Sequence, residues 1–269
     1  MEFEKLEDRM LYYRSRTDYK VKQKSYVMVM LDGKNFSSKI KKKYKLPFDQ
    51  EFINIMNDTA AYVCSQVQGA KLAYVQSDEI SIVLTDFDNN DTDCYYGYRL
   101  TKMLSIIASI ATSFFNKAVI TNLINNATDK GNLLDMMNKE SLYQFDCKVW
   151  NVPTYNDVFA WFLYRQNDCI KNSKGQAAQT YLSHNELLGK TCDEQIQMLL
   201  NIHNIDWNAY CDGMKFGRFI YKKTVPCTKI INDKELHFNR SIWYAFDAFK
   251  LSDKNGKQTF ENMFTIPQK

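Results

Sequence analysis

The sequence lacks the histidine and cysteine spacings that build zinc sites, haem sites and disulfide frameworks. Its 269 residues contain only three histidines, and these lie 19 and 34 residues apart at positions 184, 203 and 237. The seven cysteines include no CxxC pair, so neither a zinc finger nor a haem-attachment motif is present. Their odd number also argues against a full disulfide framework.

Glycine-rich phosphate loops and long apolar runs are missing as well. Neither GxxxxGK[ST] nor GxGxxG occurs, which argues against a Walker or Rossmann nucleotide site. No run of 18 uncharged apolar residues occurs, and the N-terminus MEFEKLEDRM mixes acids with bases. We therefore expect a cytoplasmic protein with no membrane segment.

The composition is that of a folded protein with a large core. Hydrophobic residues make up 45% of the chain and aromatic residues 14%, and the length fits one large or two small domains. The formal net charge of +4 is mildly basic, which permits an RNA partner without requiring one.

The order of apolar patterns up to residue 153 predicts a βαββαβ fold. The run YVMVML at 26–31 is typical of a strand buried on both faces, and apolar residues spaced by three and four after Asp49 indicate a helix. A hairpin, a long helix and a further strand follow at 71–87, 94–118 and 145–153. This order predicts an α+β, ferredoxin-like antiparallel sheet with helices on one face.

The pattern after Pro153 is less regular. It indicates helices at 155–172 and 193–203 and a strand at 215–223, whereas the residues from 224 onward give no assignment. We therefore predict a catalytic domain at 1–153 and a mostly helical C-terminal extension at 154–269 packed on it. One continuous domain is the alternative.

Acids interrupt the apolar runs at two points that the predicted sheet brings together. Asp32 ends the first strand in LDG, and Asp78 and Glu79 lie between the hairpin strands in AYVQSDEISIV. Converging carboxylates repel each other unless a proton or a cation intervenes, and hard oxygen ligands favour magnesium. Polar turns are the alternative interpretation, because Asp-Gly and Ser-Asp-Glu are also ordinary turn sequences.

Several basic residues could contact phosphate groups. Arg99 and Lys102 lie three residues apart on the long predicted helix and could hold a triphosphate, although a solvated pair has the same spacing. The segment KIKKKYK at 39–45 predicts a basic loop, which could steer a nucleotide or RNA or could simply be solvated. Arg165, Asp168 and Asn172 form a polar helix face with groups suited to RNA contacts.

In order and spacing, these motifs resemble the tRNA-His guanylyltransferase family and its like-protein branch. The matching stretches are LDGKNFS, PFD, AYVQSDEISIV, the Arg99–Lys102 pair, RQNDCIKNS, LLGK and KFG. The resemblance covers about residues 1–223. It implies a polymerase-palm-like nucleotidyltransferase that extends the 5′ end of tRNA in the 3′-to-5′ direction, using two Mg²⁺ ions. ATP or GTP would activate the 5′-monophosphate, and the 3′-hydroxyl of an incoming GTP would then attack it.

The resemblance also implies roles for individual residues. Asp32, the Gly33 carbonyl and Asp78 would bind the metal, and Glu79 would support catalysis. The nucleotide site would comprise Asp32, Gly33, Lys34, Asn35, Phe36, Ser37, Ser77 and Asp78, with Arg99 and Lys102 on the triphosphate. The RNA contacts would be Lys45, Lys148, Arg165, Asn172 and Lys215. The resemblance further implies a homotetramer.

The sequence departs from the family pattern at three cationic positions. Met30, Ser37 and Leu46 stand where the family often has Arg, His and Lys, and Lys45 is a candidate substitute for the last. The stretch Ile170–Ser173 differs from the His-Ile-Asn-Asn of eukaryotic guanylyltransferases, which favours the like-protein branch. A palm-fold nucleotide cyclase and a non-catalytic RNA-binding module remain as alternatives.

Overall fold

The computed structural model describes residues 5–88, 91–231 and 234–264. The strands are β1 (Tyr26–Gly33), β2 (Ala70–Gln76), β3 (Glu79–Leu84), β4 (Phe145–Val152), β5 (Arg218–Ile231) and β6 (Lys234–Asp247). The helices of the first part are α1 (Leu6–Ser15), α2 (Phe36–Lys43), α3 (Gln50–Gln66), α4 (Leu100–Asn126) and α5 (Lys130–Lys139). Those of the second part are α6 (Tyr155–Tyr181), α7 (His184–Leu187), α8 (Cys192–His203), α9 (Asp212–Phe216) and α10 (Gly256–Phe264).

All six strands form one antiparallel sheet in the order β4-β1-β3-β2-β5-β6. The first four strands confirm the predicted βαββαβ order and the α+β class. β5 and β6 extend this sheet across residue 153, because β5 pairs with β2. The part after residue 153 thus contributes two 14-residue strands as well as helices, and the unassigned run SIWYAFD at 241–247 is the end of β6.

Helices cover both faces of the sheet rather than the one face expected. β1 alternates between the two cores: Val27, Val29 and Leu31 pack on the side of α3 and α4, and Met28 packs on the side of α6 and α10. α6 takes the second face because Val158 and Phe162, one turn apart, are fully buried against it. A third apolar cluster joins the end of α6 to α8.

Two local predictions have clear outcomes. The side chain of Asp49 caps α3 by accepting the Phe52 backbone N–H at 3.0 Å. The prediction of a basic loop at 39–45 was wrong, because residues up to Lys43 belong to α2. Phe36 and Ile40, spaced by four, are buried on the same face of that helix, which explains why the lysine-rich segment is helical.

α4 is the one helix of the described ranges with the length and composition of a membrane span. Its packing is that of a core helix, with Met103, Ile107 and Ala111 buried against the sheet. Ser105 and Ser109 lie exposed on the opposite side. Such a face-specific pattern is typical of an amphipathic helix on a sheet.

Candidate active site

Asp32 and Asp78 meet at one edge of the sheet, where β1 and the β2–β3 hairpin end. Asp32 lies directly opposite Glu79 in the β1–β3 register. The Gly33 N–H donates to the Asp78 carbonyl oxygen at 3.2 Å, which ties the end of β1 to the hairpin turn. The structure therefore brings together the three predicted metal-binding residues.

The turns that present these acids have tight backbone conformations. Ser77 begins the two-residue hairpin connection with φ +44°, and Asn35 precedes α2 with φ +57°. Gly33 has no room for a side chain, because a Cβ atom there would lie 2.5 to 2.7 Å from the ring of Phe36. The chain can thus turn from β1 into α2 immediately beside Asp32.

The electrostatic environment of the acid pair favours a bound cation. Burial raises the pKa of Asp78 to about 6, and the nearby Asp32 carboxylate adds to the shift. Burial also raises the pKa of Asp32, with a further contribution from Asp146, which lies opposite Asp32 on β4. Lys148 opposes this shift at Asp32.

These shifts predict how the stability of the metal-free protein depends on pH. Because the folded-state pKa of Asp78 lies above its unfolded value, the folded state binds this proton more tightly. The stabilisation is complete below the unfolded pKa and is lost as pH rises through about 6. We expect the free energy of unfolding, measured with urea in EDTA, to fall between pH 4 and pH 7. Asp78→Asn should show a smaller fall, and an equal fall would contradict the assignment.

The acid pair fits magnesium by its chemistry. The carboxylates of Asp32 and Asp78 and the Gly33 carbonyl supply only oxygen ligands, as Mg²⁺ prefers. No cluster of three or more His, Cys, Asp or Glu side chains arranged for a metal occurs in the part of the chain that the structure describes. Mg²⁺ commonly binds through one or two carboxylates and takes its remaining ligands from water and phosphate. The two acids would therefore hold it together with substrate.

Asp32 lies between two clefts. The larger, the α6 cleft, has a volume of about 890 Å³ and is enclosed by α2, α3, α6 and the hairpin turn. The smaller, the α4 cleft, has a volume of about 730 Å³ and lies between the end of β1 and α4. The predicted nucleotide-site residues are divided between the clefts: the α4 cleft is lined by Gly33, Lys34 and Asn35, the α6 cleft by Ser37, Ser77 and Asp78, and both by Asp32.

Glu79 is paired with Arg165 of α6. The Nε atom of Arg165 donates to Glu79 Oε1 at 2.7 Å, and its Nη2 atom donates to Glu79 Oε2. The Nη1 atom binds Asp168 at 2.8 Å. Burial raises the pKa of Glu79, and the bonds from Arg165 oppose that shift. The structure thus places Arg165, predicted as an RNA contact, in an ion-pair network beside the acid pair.

The remaining predicted RNA contacts differ in their surroundings. Lys45 and Asn172 line the α6 cleft, and the exposed Lys148 lies near Asp32. Lys215 lies in neither cleft; its Nζ atom binds the Asn208 carbonyl oxygen at 3.0 Å and Asp212 at 3.1 Å. These two bonds engage the ammonium group of Lys215 within the protein.

The predicted triphosphate contacts lie at the start of α4. Neither Arg99 nor Lys102 lines a cleft that contains Asp32. The first α4 residue in the α4 cleft is Ala108, six residues or roughly 9 Å along the helix from Lys102. Their role in triphosphate binding stays a prediction. The side chain of Phe36 is buried in an aromatic cluster, so only its backbone is available to a nucleotide.

Several polar residues beside the acids were missed from the sequence. Asp146 lies in the FDC run that begins the strand predicted at 145–153. Pairing that strand antiparallel to β1 places Asp146 opposite Asp32, so this acid could have been found. Arg218 is buried and lines the α6 cleft, held by Asn57 Oδ1 and the Gly213 carbonyl oxygen at 3.1 Å each. The α6 cleft also contains Gln76, Lys171, Gln176 and Gln179.

The fold and the acid pair define a palm-type protein, an antiparallel α+β sheet with two carboxylates at the strand edge. Residues 8–153, more than half of the chain, match the family described as tRNAHis guanylyltransferase, Thg1. The chain belongs to this family, as its motifs predicted, and it is an enzyme, a nucleotidyltransferase.

The similarity extends beyond the matched segment. The tRNA(His) guanylyltransferase of Schizosaccharomyces pombe is 28% identical in an alignment of length 224, which covers 79% of this chain and 77% of that protein. A bacterial Thg1-like protein solved in complex with ATP has a TM-score of 0.79 and 27% identity, covering 98% of this chain and 100% of that one. A bacterial Thg1-like protein solved in complex with GTP has a TM-score of 0.74 and 26% identity, covering 97% of this chain and 99% of that one.

Proposed function

We propose that this protein is a magnesium-dependent nucleotidyltransferase that adds nucleotides to the 5′ end of tRNA in the 3′-to-5′ direction. The observation that carries the proposal is the convergence of Asp32, Gly33 and Asp78 between two clefts. Two clefts that share Asp32 offer room for a nucleotide and an RNA end at the same acid pair. ATP and GTP appear as ligands of structurally similar Thg1-like proteins.

The proposed reaction has two steps. The 5′-phosphate of the tRNA attacks the α-phosphorus of ATP or GTP, which forms a phosphoanhydride and releases pyrophosphate. The 3′-hydroxyl of an incoming GTP then attacks the activated 5′-phosphorus, forms the phosphodiester bond and releases AMP or GMP. Mg²⁺, when bound, would polarise the reacting phosphates and offset their charge.

The residues of this chain would orient the reactants. Asp32, Asp78 and the Gly33 carbonyl would hold two Mg²⁺ ions together with substrate phosphates. Lys45 in the α6 cleft and Lys148 beside Asp32 would attract the phosphates of the RNA end. Lys45 is well placed to replace the cation that family members often carry at Leu46, since both residues line that cleft. We further propose that the active form is a homotetramer, which mass measurement by light scattering would test.

An extension assay tests the proposed function. The protein is incubated with a 5′-monophosphorylated, 5′-truncated tRNA, labelled GTP, ATP and magnesium, and we expect template-dependent lengthening at the 5′ end. Addition of one untemplated G to tRNA-His instead would assign it to the guanylyltransferase branch. Conversion of GTP alone to a cyclic product, or tRNA binding in EDTA without any turnover, would overturn the proposal.

A further inference from the structure

We infer that Arg165 is a positioning residue, which acts by holding the Glu79 carboxylate away from Asp32 and Asp78 and by cancelling its charge. The inference rests on the proposed function for the identity of the reaction. It assigns Arg165 a task different from direct contact with RNA. It also gives Glu79 a role as the anchor of the hairpin, rather than as a metal ligand.

Arg165 and Glu79 form a bidentate ion pair. Two nitrogens of Arg165 bind the two oxygens of Glu79, and the third binds Asp168. The Arg165 and Glu79 side chains are only 14% and 9% exposed, so neither carries spare surface for a large ligand. The pair therefore joins α6 firmly to the first residue of β3.

Aromatic rings fix the guanidinium group in place. The Arg165 Cζ atom lies 5.9 Å from the ring centroid of Trp161 and 5.2 Å from that of Tyr164. The Nε1 atom of Trp161 in turn donates to Ser81 Oγ on β3 at 3.2 Å. The arginine is thus positioned by both α6 and the strand that carries Glu79.

The charge balance explains why the acid pair needs this arrangement. Glu79 follows Asp78 directly and lies opposite Asp32, so an unpaired Glu79 would add a third negative charge to the pair. It would also offer an extra carboxylate to a cation, in competition with the ligands that orient substrate. A buried carboxylate that loses its partner is costly to the folded state as well.

A double-mutant comparison tests the inference. In Arg165→Met the Glu79 carboxylate is left unpaired, and we expect the rate at saturating substrate to fall about 10- to 100-fold. In Arg165→Met/Glu79→Gln the charge around Asp32 and Asp78 returns to its original value, so this variant should be several-fold faster than Arg165→Met. Arg165→Lys keeps the charge but cannot bind both oxygens of Glu79 in the bidentate geometry, and we expect a rate between those of Arg165→Met and the wild type.

Two binding measurements separate positioning from a merely structural role. Mn²⁺, which shares the oxygen-ligand preference of Mg²⁺, can be titrated by electron paramagnetic resonance without turnover. We expect Arg165→Met to bind Mn²⁺ more tightly than the wild type although it is slower, and the double variant to return to the wild-type affinity. We expect tRNA affinity in EDTA to be the same in all of these variants.

Lys174→Met is the matched control, because Lys174 forms another ion pair of α6, with Asp193, and does not line the α6 cleft. We expect it to leave rate and Mn²⁺ affinity unchanged. A double variant as slow as Arg165→Met, with weaker tRNA binding in both, would overturn the inference in favour of direct RNA contact. If the wild type adds no nucleotide, the proposed function fails, whereas the Mn²⁺ titration still decides the role of Arg165.

Discussion

Asp78→Asn is expected to reduce nucleotide addition to tRNA by about 100- to 1,000-fold, because it removes a charged oxygen from the centre of the site. Asparagine keeps the size of the side chain, so the hairpin turn should form as before. The neutral amide oxygen is a weaker magnesium ligand than a carboxylate, because it lacks the negative charge that attracts the cation. Single-turnover extension of 5′-truncated tRNA measures the loss directly.

The same substitution should have the opposite effect on the fold. The Asp78 carboxylate is partly buried, its pKa is raised to about 6, and Asp32 lies nearby, so removing its charge relieves a cost to the folded state. We expect the midpoint of thermal unfolding at pH 7.5 in EDTA to stay the same or rise. Asp129→Asn, at the exposed N-terminus of α5, is a suitable control and should leave activity intact. Activity of Asp78→Asn within tenfold of the wild type would contradict a metal-binding role.

The acid pair could be predicted from the sequence because Asp32 lies at the end of one strand with a clear apolar pattern and Asp78 directly precedes another. β1 is buried on both faces, and β2 and β3 are buried almost throughout, so their sequences are dominated by apolar residues. The βαββαβ order then determines which strand ends are neighbours. Asp32 and Asp78 followed from that topology, without knowledge of any side-chain contact.

The partner of Glu79 could not be predicted in the same way. Arg165 lies 86 residues from Glu79 in sequence, and its place depends on which face of the sheet α6 covers. A polar helix face is equally typical of solvent exposure, of RNA contacts and of an internal ion pair. The sequence pattern therefore indicated a polar face of α6 but did not show that Arg165 on this face pairs with Glu79.

The last two strands of the sheet were predicted only in part, for a different reason: the strand predicted at 215–223 covers the start of β5, and β6 was left unassigned. β5 and β6 pair with each other over their full length, and their outer parts are largely exposed. A strand that is exposed on both faces shows neither an apolar run nor strict alternation. Only the start of β5, where Phe219 and Ile220 are fully buried against β2, had the apolar pattern of a strand.

Gly217→Ala is expected to destabilise the fold by about 2 to 5 kcal/mol, from strained backbone and steric overlap together. Gly217 has φ +81° and ψ −168°, a conformation that is essentially restricted to glycine. A Cβ atom there would lie 2.5 Å from Tyr74 Oη and 2.6 Å from Tyr74 Cζ. Tyr74 is fully buried and donates to the Phe216 carbonyl oxygen at 2.7 Å, so it cannot yield without breaking that bond.

Gly189→Ala is the comparison without steric overlap, because Gly189 also has a positive φ, +74°, but no atom beyond the neighbouring residues lies within 4 Å of its Cβ position. That variant should lose only about 1 to 2 kcal/mol, the cost of placing an L-residue in the left-handed region. Urea unfolding of both variants measures the difference, which we attribute to the overlap with Tyr74 together with the ψ of −168° that Gly217 adopts. Equal losses would show that Tyr74 moves aside freely. In that case contact with Tyr74 would not fix the backbone at the junction between α9 and β5. This junction matters for the site because it positions Arg218, which lines the α6 cleft.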